Sequence, residues 1–310
     1  MSPRQNPPFG TEHPTQAMNP TAPIIAGIDF SAPSEAVLRH AVLAAGLTRA
    51  PVRAVHVLDS NALEHRAASG AANPAGDLLA KQAERRLREM IDLNFPAAEI
   101  DTEIRSGRPA EELHQAIKES GAALLVIAAN DLTKKRLGSI ASRCVRTAPC
   151  DVLVLRDWQD GKFTKIVVCT DFSKISSRAL EDAIDLATHH SASLEIVHVM
   201  YPPSRDIWGQ ALDHTPDIST YADDCHNHIN HRMEKFLAPH KKALADLPHR
   251  SVILESVLPA AALTHHVLDS GTDLVVLGTR LQSRLGALFI GTNAERLIHD
   301  ATVSVLAVRD

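Results

Sequence analysis

Two glycine-containing segments near the C-terminus have the residue types and spacing of a phosphate-binding loop. Gly278-Thr279-Arg280 follows the apolar run 274–277, and Gly291-Thr292 opens a stretch with helical periodicity. A helix N-terminus presents unpaired N–H groups and the positive end of a dipole, and glycine lets a phosphate approach the backbone. The same pattern fits a plain strand-to-helix turn, in which the glycines serve the geometry only. The spacing alone leaves both interpretations open.

An internal duplication supplies the elements that would position this loop. The strand-like runs 24–28 and 165–170 lead to Asp29-Phe30-Ser31 and Asp171-Phe172-Ser173, and the pairs His56-Val57 and His198-Val199 are separated by the same 142 positions. Further matches have offsets of 150 and 153. Because the offset changes only in loops, it indicates a duplication. In the first copy, Ser31 or Ser34 can cap the helix that follows.

Strand-like and helix-like segments alternate through both copies, and the strands are almost unbroken apolar runs. This pattern is typical of an α/β protein whose parallel sheet has helices on both faces. We predict a disordered tail over 1–22, which contains five prolines, a first domain over 23–156, a linker over 157–164 and a second domain over 165–310.

Composition excludes several classes of function. The 310 residues carry a net charge of −5 without a basic block, which argues against nucleic acid as a main partner. No apolar run is long enough to span a membrane, and the N-terminus lacks a signal pattern. Cys144, Cys150, Cys169 and Cys225 show no paired spacing. We therefore expect a cytoplasmic protein with free thiols.

The ordered motifs make the chain resemble a tandem universal stress protein. The strand ending in Asp-Phe-Ser, the His-Val pair after strand two and the glycine loop recur over 24–156 and 165–310. The resemblance implies two doubly wound domains, each with a five-stranded parallel sheet of order 3-2-1-4-5. It also implies a binding crevice between strands one and four. Some members of this family bind ATP, and others have lost the site.

The resemblance also implies a set of adenine-nucleotide contacts in the second half, with ATP or AMP as ligand and Mg²⁺ as a companion ion. In nucleotide-binding members, the aspartate position lies near the adenine and ribose, and the valine after the histidine contacts adenine through its backbone. The predicted binding residues are Asp171, Val199, Leu277, Gly278, Thr279, Arg280, Gly291, Thr292, Asn293 and Ala294. One position departs from the family pattern, because Leu281 replaces the second glycine. We expect this leucine to weaken phosphate binding or to favour a shorter ligand such as AMP.

The first-half loop departs further from the pattern. Its segment 128–137 contains no glycine before Gly138, is three residues shorter than its partner, and places Asp131 near the expected phosphate. Lys134, Lys135 and Arg136 could compensate for that charge, but a solvated basic turn is the simpler interpretation of these residues. We expect this half to bind nucleotide poorly or not at all.

A second group of chemically active side chains crowds segment 213–231. If 223–236 is helical, Asp224, His228 and His231 share a face and Cys225 is adjacent. Imidazole, thiolate and carboxylate are ligands suited to Zn²⁺ or Ni²⁺. A polar helix face beside a loop is the simpler interpretation of the same residues.

No nucleophile, base and acid occur at a recognisable catalytic spacing. A receiver domain would carry a second acid after strand one, a phosphate-accepting aspartate after strand three and a lysine after strand five, and this chain has none of these. His56 and His198 fit hydrogen-bonded histidines at the edge of the core. We therefore expect a stress-response protein that binds ATP or AMP in its second half and acts as a regulatory or protective factor. The alternatives are a nucleotide-free interaction module, working through its surface or a metal, and a slow ATPase whose water-activating group we do not find.

The two fifth strands, Val152 to Leu155 and Val303 to Val308, would form exposed sheet edges. Unpaired apolar edges promote association, so such edges are usually covered. In single-domain members of the resembled family these edges form the dimer. We therefore predict that the two halves pair internally as a pseudo-dimer, which leaves open a homodimer of the whole chain.

Overall fold

The computed structural model describes residues 22–60, 76–129, 137–156, 161–202, 218–280, 282–284, 287–289 and 292–310. The tail before residue 22 and the first-half loop 130–136 therefore lie outside the described residues. The first half contains β1 Ile24–Ile28, α1 Ser34–Thr48, β2 Val52–Asp59, α2 Gly76–Asn94, β3 Ile100–Gly107, α3 Pro109–Ser120, β4 Leu124–Ala128, α4 Ser139–Thr147 and β5 Asp151–Leu155.

The second half repeats this order with one insertion. It contains β6 Lys165–Cys169, α5 Lys174–His190, β7 Ser193–Met200, α6 Ile218–Leu237, a 3₁₀ turn Ala238–His240, α7 Lys241–Leu244, β8 His249–Glu255, α8 Pro259–Ser270, β9 Leu274–Thr279, β10 Gln282–Arg284, β11 Ala287–Phe289, α9 Thr292–Asp300 and β12 Ser304–Arg309. β10 and β11 pair as a small antiparallel sheet inside the glycine loop, where the sequence predicted a loop alone.

Ten strands form one continuous sheet in the order β3-β2-β1-β4-β5-β12-β9-β6-β7-β8. Each half therefore has the order 3-2-1-4-5, read from opposite edges toward the centre. Within this ten-stranded sheet, every pair of strands from the same half is parallel. The predicted α/β class and strand order are confirmed. Parallel strands require crossover helices, and the apolar composition of the strands follows from their burial between those helices.

Helices cover the sheet on both faces and produce two aliphatic core layers. One layer packs α1, α2 and α5 against the sheet, with Leu38, Leu87 and Leu180 fully buried. The other packs α3, α4, α8 and α9 against the opposite face, where Ile117 and Leu297 are central. Burial of these aliphatic side chains is the main stabilising term. No helix in the described ranges is both long and apolar enough to cross a membrane.

The two halves meet where β5 and β12 pair antiparallel. Leu153 lies opposite Leu306, and these residues occupy equivalent positions in the two copies, with Val152 opposite Ala307 and Val154 opposite Val305. A pseudo-two-fold axis therefore passes beside the Leu153–Leu306 pair. The predicted internal pairing of the fifth strands is confirmed, and neither strand remains as an edge.

The turn after β1 corrects the predicted helix cap. α1 begins after Pro33, and no side chain caps it. Ser31 and Ser34 instead donate hydrogen bonds to Asp29 Oδ1, which also accepts the Ser31 backbone N–H at 3.0 Å. The serine hydroxyl groups are thus engaged as donors to the aspartate, and the Ser34 backbone N–H donates to the Ser31 carbonyl oxygen at 3.0 Å. In the second half, the Ser173 hydroxyl does cap α5 by accepting from the Ser176 backbone N–H at 3.3 Å.

Candidate functional site

A cleft of about 440 Å³ opens in the second half where the carboxyl ends of β6 and β9 lie side by side. α5 leaves β6 on one face of the sheet, and α9 follows β9 on the other, as their membership of different core layers shows. The divergence of these helices creates the cleft. Doubly wound folds bind ligands at this kind of switch point, outside the carboxyl ends of the strands.

Most of the predicted binding residues line this one cleft, namely Asp171, Val199, Leu277, Gly278, Arg280, Asn293 and Ala294. Thr292 begins α9, so its backbone stands at the predicted helix N-terminus. Gly291 and Leu281 lie outside the described residues, and their predicted roles are untested. These residues come from β6, β7, β9 and α9, and the sheet order brings them together.

Thr279 is a correction to the predicted set. Its side chain is 0% exposed, and its Oγ1 donates to the carbonyl oxygen of Val308 at 3.0 Å and accepts from Arg309 at 3.2 Å. Alternation alone would place Thr279 on the same face as Leu277, but the hydrogen bonds to Val308 and Arg309 of the neighbouring strand β12 occupy its hydroxyl group. Thr279 therefore does not contribute its side chain to the cleft.

Asp171 supplies a negative charge at the mouth of the cleft. Burial would raise the pKa of its carboxyl group, but hydrogen bonds from Ser173 and Ser176 outweigh that effect, so the pKa lies below the ordinary value. The Ser173 backbone N–H donates to Asp171 Oδ1 at 3.0 Å. The nearby Arg280 also favours the ionised form, and its side chain is exposed at the rim. The cleft thus presents one hydrogen-bonded carboxylate and one exposed cation.

The turn that carries Asp171 is held by an aromatic cluster. Phe172 has a φ of 63°, which is uncommon for a residue with a side chain. Its ring packs on His198 at 4.3 Å between centroids, and the Arg232 guanidinium lies 4.6 Å from the ring centre. His198 Nδ1 donates to the carbonyl oxygen of Thr170 at 2.8 Å, and burial lowers the pKa of the imidazole. The histidine is therefore a neutral support for the turn, as expected from the sequence.

Gly278 allows close packing at the floor of the cleft. A Cβ at this position would lie 2.9 Å from Ile175 Cγ1 and 3.1 Å from the Ile175 carbonyl carbon, in the first turn of α5. Such distances are too short for a real side-chain contact, so β9 and α5 approach as closely as they do because residue 278 lacks a side chain. This contact explains the glycine without a bound phosphate.

Sequence reasoning missed part of the cleft wall. Pro259 and Leu263, in the first turns of α8, line the cleft together with Cys169 at the end of β6. The internal repeat could have identified these residues. Pro109 and Leu113, 150 positions earlier, line the equivalent cleft of the first half. Burial raises the pKa of the Cys169 thiol to about 12, so this group stays protonated and unreactive.

A cleft of about 490 Å³ occupies the equivalent place in the first half. Asp29, Val57 and Ala128 line it, in place of Asp171, Val199 and Gly278. The supporting cluster is also repeated, because Phe30 has a φ of 59°, packs on His56 at 4.4 Å and has Arg86 at 4.5 Å. The basic residues 134–136 and Asp131 lie outside the described residues. The two clefts share their framework and differ in the sequence of the loop that follows β4 or β9.

The structure does not support the metal site suggested for segment 213–231. Asp224, Cys225, His228 and His231 lie on α6, as the helical pattern predicted, but the described residues contain no group of three potential ligands placed to hold a metal ion. His226 contacts Glu255 at 3.0 Å, and His231 lies 3.8 Å from Glu234. Residues 213–217 lie outside the described ranges. The described part of this segment is therefore a polar helix face, on which His226 and His231 lie beside carboxylates.

Comparison with known proteins gives a consistent assignment for both halves. A sequence model described as the universal stress protein family matches residues 21–156 and 162–309. The chain is 29% identical over 147 residues to a universal stress protein of Thermus aquaticus, an alignment that covers 47% of this chain and 99% of that protein. It is 27% identical over 154 residues to universal stress protein YxiE of Bacillus subtilis, again covering 47% and 99%.

Solved structures match the tandem arrangement over nearly the whole chain. A universal stress protein from Archaeoglobus fulgidus superposes with a TM-score of 0.64 and 17% identity, covering 94% of this chain and 98% of that one. A functionally unknown protein from Pseudomonas aeruginosa PAO1 gives a TM-score of 0.66 with 16% identity and 95% coverage of both chains. At these identities the likeness concerns the fold alone.

Proposed function

The chain belongs to the universal stress protein family, and from this premise we propose that its second half binds an adenine nucleotide and thereby regulates the protein's conformation or contacts. The convergence of Asp171, Val199, Arg280 and Asn293 on one cleft is the observation that carries this proposal. These residues lie on different elements, between 171 and 293 in the sequence. A cleft formed for packing reasons alone would not require an acceptor, a cation and a helix N-terminus at its rim.

The chemistry of each wall suggests how the nucleotide lies. The apolar wall of Val197, Pro259 and Leu263 suits the face of an adenine ring, with the backbone of Val199 at the strand end providing polar contacts. Asp171 is ionised and accepts hydrogen bonds only, so it suits the ribose hydroxyl groups and would repel phosphate.

The phosphate end of the ligand belongs where β9 ends and α9 begins. Arg280 offers a charged fork at the end of β9, and the first turn of α9 offers backbone N–H groups beside Asn293. Mg²⁺ would accompany ATP and neutralise part of its charge. The chain's contribution is thus binding and orientation of the nucleotide.

We expect one nucleotide per chain, bound in the second half. In calorimetric titrations with ATP and AMP, with and without Mg²⁺, Asp171→Ala should lower the affinity by about tenfold or more, because a hydrogen bond to a charged group is lost. Asp29→Ala is the matched control, since Asp29 holds the equivalent position in the first half, and it should change the affinity by less than about twofold. A folded protein that gives no heat at millimolar nucleotide would refute the proposal and favour the nucleotide-free interaction module.

Leu281→Gly is expected to tighten ATP binding more than AMP binding. A glycine lets the backbone adopt left-handed conformations and removes a bulky group, which should gain about 1 kcal/mol for ATP, or roughly fivefold in affinity. Asp131→Gly, three residues after the end of β4 as Leu281 is three residues after Gly278, is the control and should leave the titration unchanged. Equal ATP affinities for wild type and Leu281→Gly would show that the missing glycine has no effect.

A further inference from the structure

A separate cavity of about 990 Å³ lies between the two halves, and we call it the seam cavity. It is bounded by α1 and α5 and rests on β5 and β12 beside the pseudo-two-fold axis, with apolar walls formed by Leu43, Leu47, Leu153, Ile184, Leu247 and Leu306. Its volume is at the upper end of the range typical of small-molecule sites, about 300 to 1,000 Å³. The residues that line it do not include any that line either strand-end cleft.

Phe163, just after the link between the halves, lines the seam cavity. Its ring packs against His40 of α1 and His190 of α5, at centroid distances of 4.9 and 5.3 Å, and its backbone N–H donates to His190 Nδ1 at 3.1 Å. Burial lowers the pKa of His40 to about 4 and also lowers that of His190. Both imidazoles are therefore neutral near pH 7 and add no positive charge to the cavity.

Asp182 is a polar group of the cavity without a protein partner at one oxygen. Its Oδ2 is enclosed and makes no hydrogen bond within the described structure. Burial and the nearby Asp151 raise the pKa of the Asp182 carboxyl to about 8, with Asp185 and Glu181 adding to the shift and Arg178 opposing it. Arg178 does not compensate fully, because its Nη2 donates to Asp151 Oδ2 at 2.6 Å and its Nη1 donates to the Arg309 carbonyl oxygen.

The charge of the cavity wall is predominantly negative. Asp151, Glu181, Asp185 and Asp246 join Asp182, and Lys242 is the single lysine among the described lining residues, which include no arginine. Asp185 and Asp246 are exposed, whereas Asp182 is enclosed and Arg178 compensates it only in part. The Asp182 carboxyl group is therefore costly to ionise, and a bound cation would lower that cost.

We propose that the seam cavity binds an organic ammonium ion, with its apolar body against the leucine-rich walls and its ammonium group paired with Asp182. The carboxyl group accepts the hydrogen bonds that an ammonium donates, and rotation about χ2 lets either oxygen face the ligand. The apolar wall selects a ligand with an alkyl or aryl body over an inorganic cation. The acidic surroundings select a cation over a carboxylate of the same shape.

The test uses the full chain, n-octylammonium as the probe and 1-octanol as its neutral analogue. Near pH 7 the amine should bind at least ~10-fold more tightly than the alcohol. Each binding event should release about one proton, because Asp182 must ionise while an alkylammonium resembles lysine, whose ordinary pKa is about 10.4. For the same reason, raising the pH from about 6 to about 9 should tighten amine binding by about tenfold or more and leave the alcohol unaffected.

Three variants complete the test. Asp182→Asn should fold, since the amide has the shape and neutrality of the protonated carboxyl group, and it should bind amine and alcohol equally with no proton release. Asp223→Asn, on an exposed part of α6 outside the cavity, is the matched control and should behave as wild type. Leu47→Trp should obstruct the cavity and lower the affinity for both ligands. The proposal is overturned if wild type does not prefer the amine, if Asp182→Asn keeps the preference, or if Leu47→Trp binds as wild type does.

Discussion

Asp151→Ala is expected to lower the free energy of unfolding by about 3–5 kcal/mol. Asp151 is 2% exposed at the start of β5 and belongs to the first half. Both partners of its carboxylate belong to the second half. Its Oδ1 accepts the Arg309 backbone N–H at 2.7 Å, and its Oδ2 accepts Arg178 Nη2 at 2.6 Å.

The expected loss of stability in Asp151→Ala comes from the two donors that would remain without an acceptor. The Arg178 guanidinium would lose its carboxylate partner, and its Nε already has no hydrogen-bond partner within the described structure. The Arg309 backbone N–H would be buried without its carboxylate acceptor. A buried donor that loses its partner incurs the full desolvation penalty, and a buried ion pair that loses one member leaves an uncompensated charge.

Ser304→Ala is the control, because Ser304 occupies the position in the second half that Asp151 occupies in the first. The Ser304 hydroxyl donates to the Arg156 carbonyl oxygen at 3.0 Å and accepts the Arg156 backbone N–H at 3.1 Å. These are hydrogen bonds between neutral groups, so alanine should cost only about 1 kcal/mol. Urea denaturation of both variants measures the difference. If both variants lose the same free energy of unfolding, the charge of Asp151 does not stabilise the contact between the halves more than a neutral hydrogen bond does.

The sheet and the two-copy arrangement could be predicted from the sequence, because they follow from hydrophobic periodicity and from the internal repeat. Apolar runs alternating with amphipathic segments indicated the parallel sheet, and the offsets indicated two copies, both of which the structure confirms. The pairing of β5 with β12 was predictable because two apolar edge strands in one chain require cover.

Other features depend on side-chain direction, which spacing does not determine. The family motif places Thr279 in the loop set, but the structure directs its hydroxyl to the carbonyl oxygen of Val308. The spacing of Ser31 fits a helix cap, but its hydroxyl group donates to Asp29 instead. β10 and β11 have three residues each, too few to show a strand period in the sequence. The seam cavity could not be predicted, because its walls come from both halves.

A fragment of residues 157–310 is expected to form a homodimer through β12. The curated relatives described above are aligned over 99% of their own length to about one half of this chain, so one half has the size of a complete family member. In the fragment, β12 loses β5 and becomes an apolar edge. Antiparallel pairing with a second β12 would preserve the register, placing Leu306 opposite Leu306 and Val305 opposite Ala307. Sedimentation or light scattering should give about twice the fragment mass. A well-folded fragment that stays monomeric would contradict the expectation.

Leu306→Lys distinguishes this dimer from non-specific association. In a symmetric β12 pair, residue 306 faces its own copy, so the substitution places two like charges together and should make the fragment monomeric. In the full chain, residue 306 faces Leu153 and lines the acidic seam cavity, where a single lysine finds Asp182 and Asp151 nearby. The same substitution should therefore leave the full chain folded. If the fragment still dimerises after the Leu306→Lys substitution, its interface is not the symmetric β12 pair.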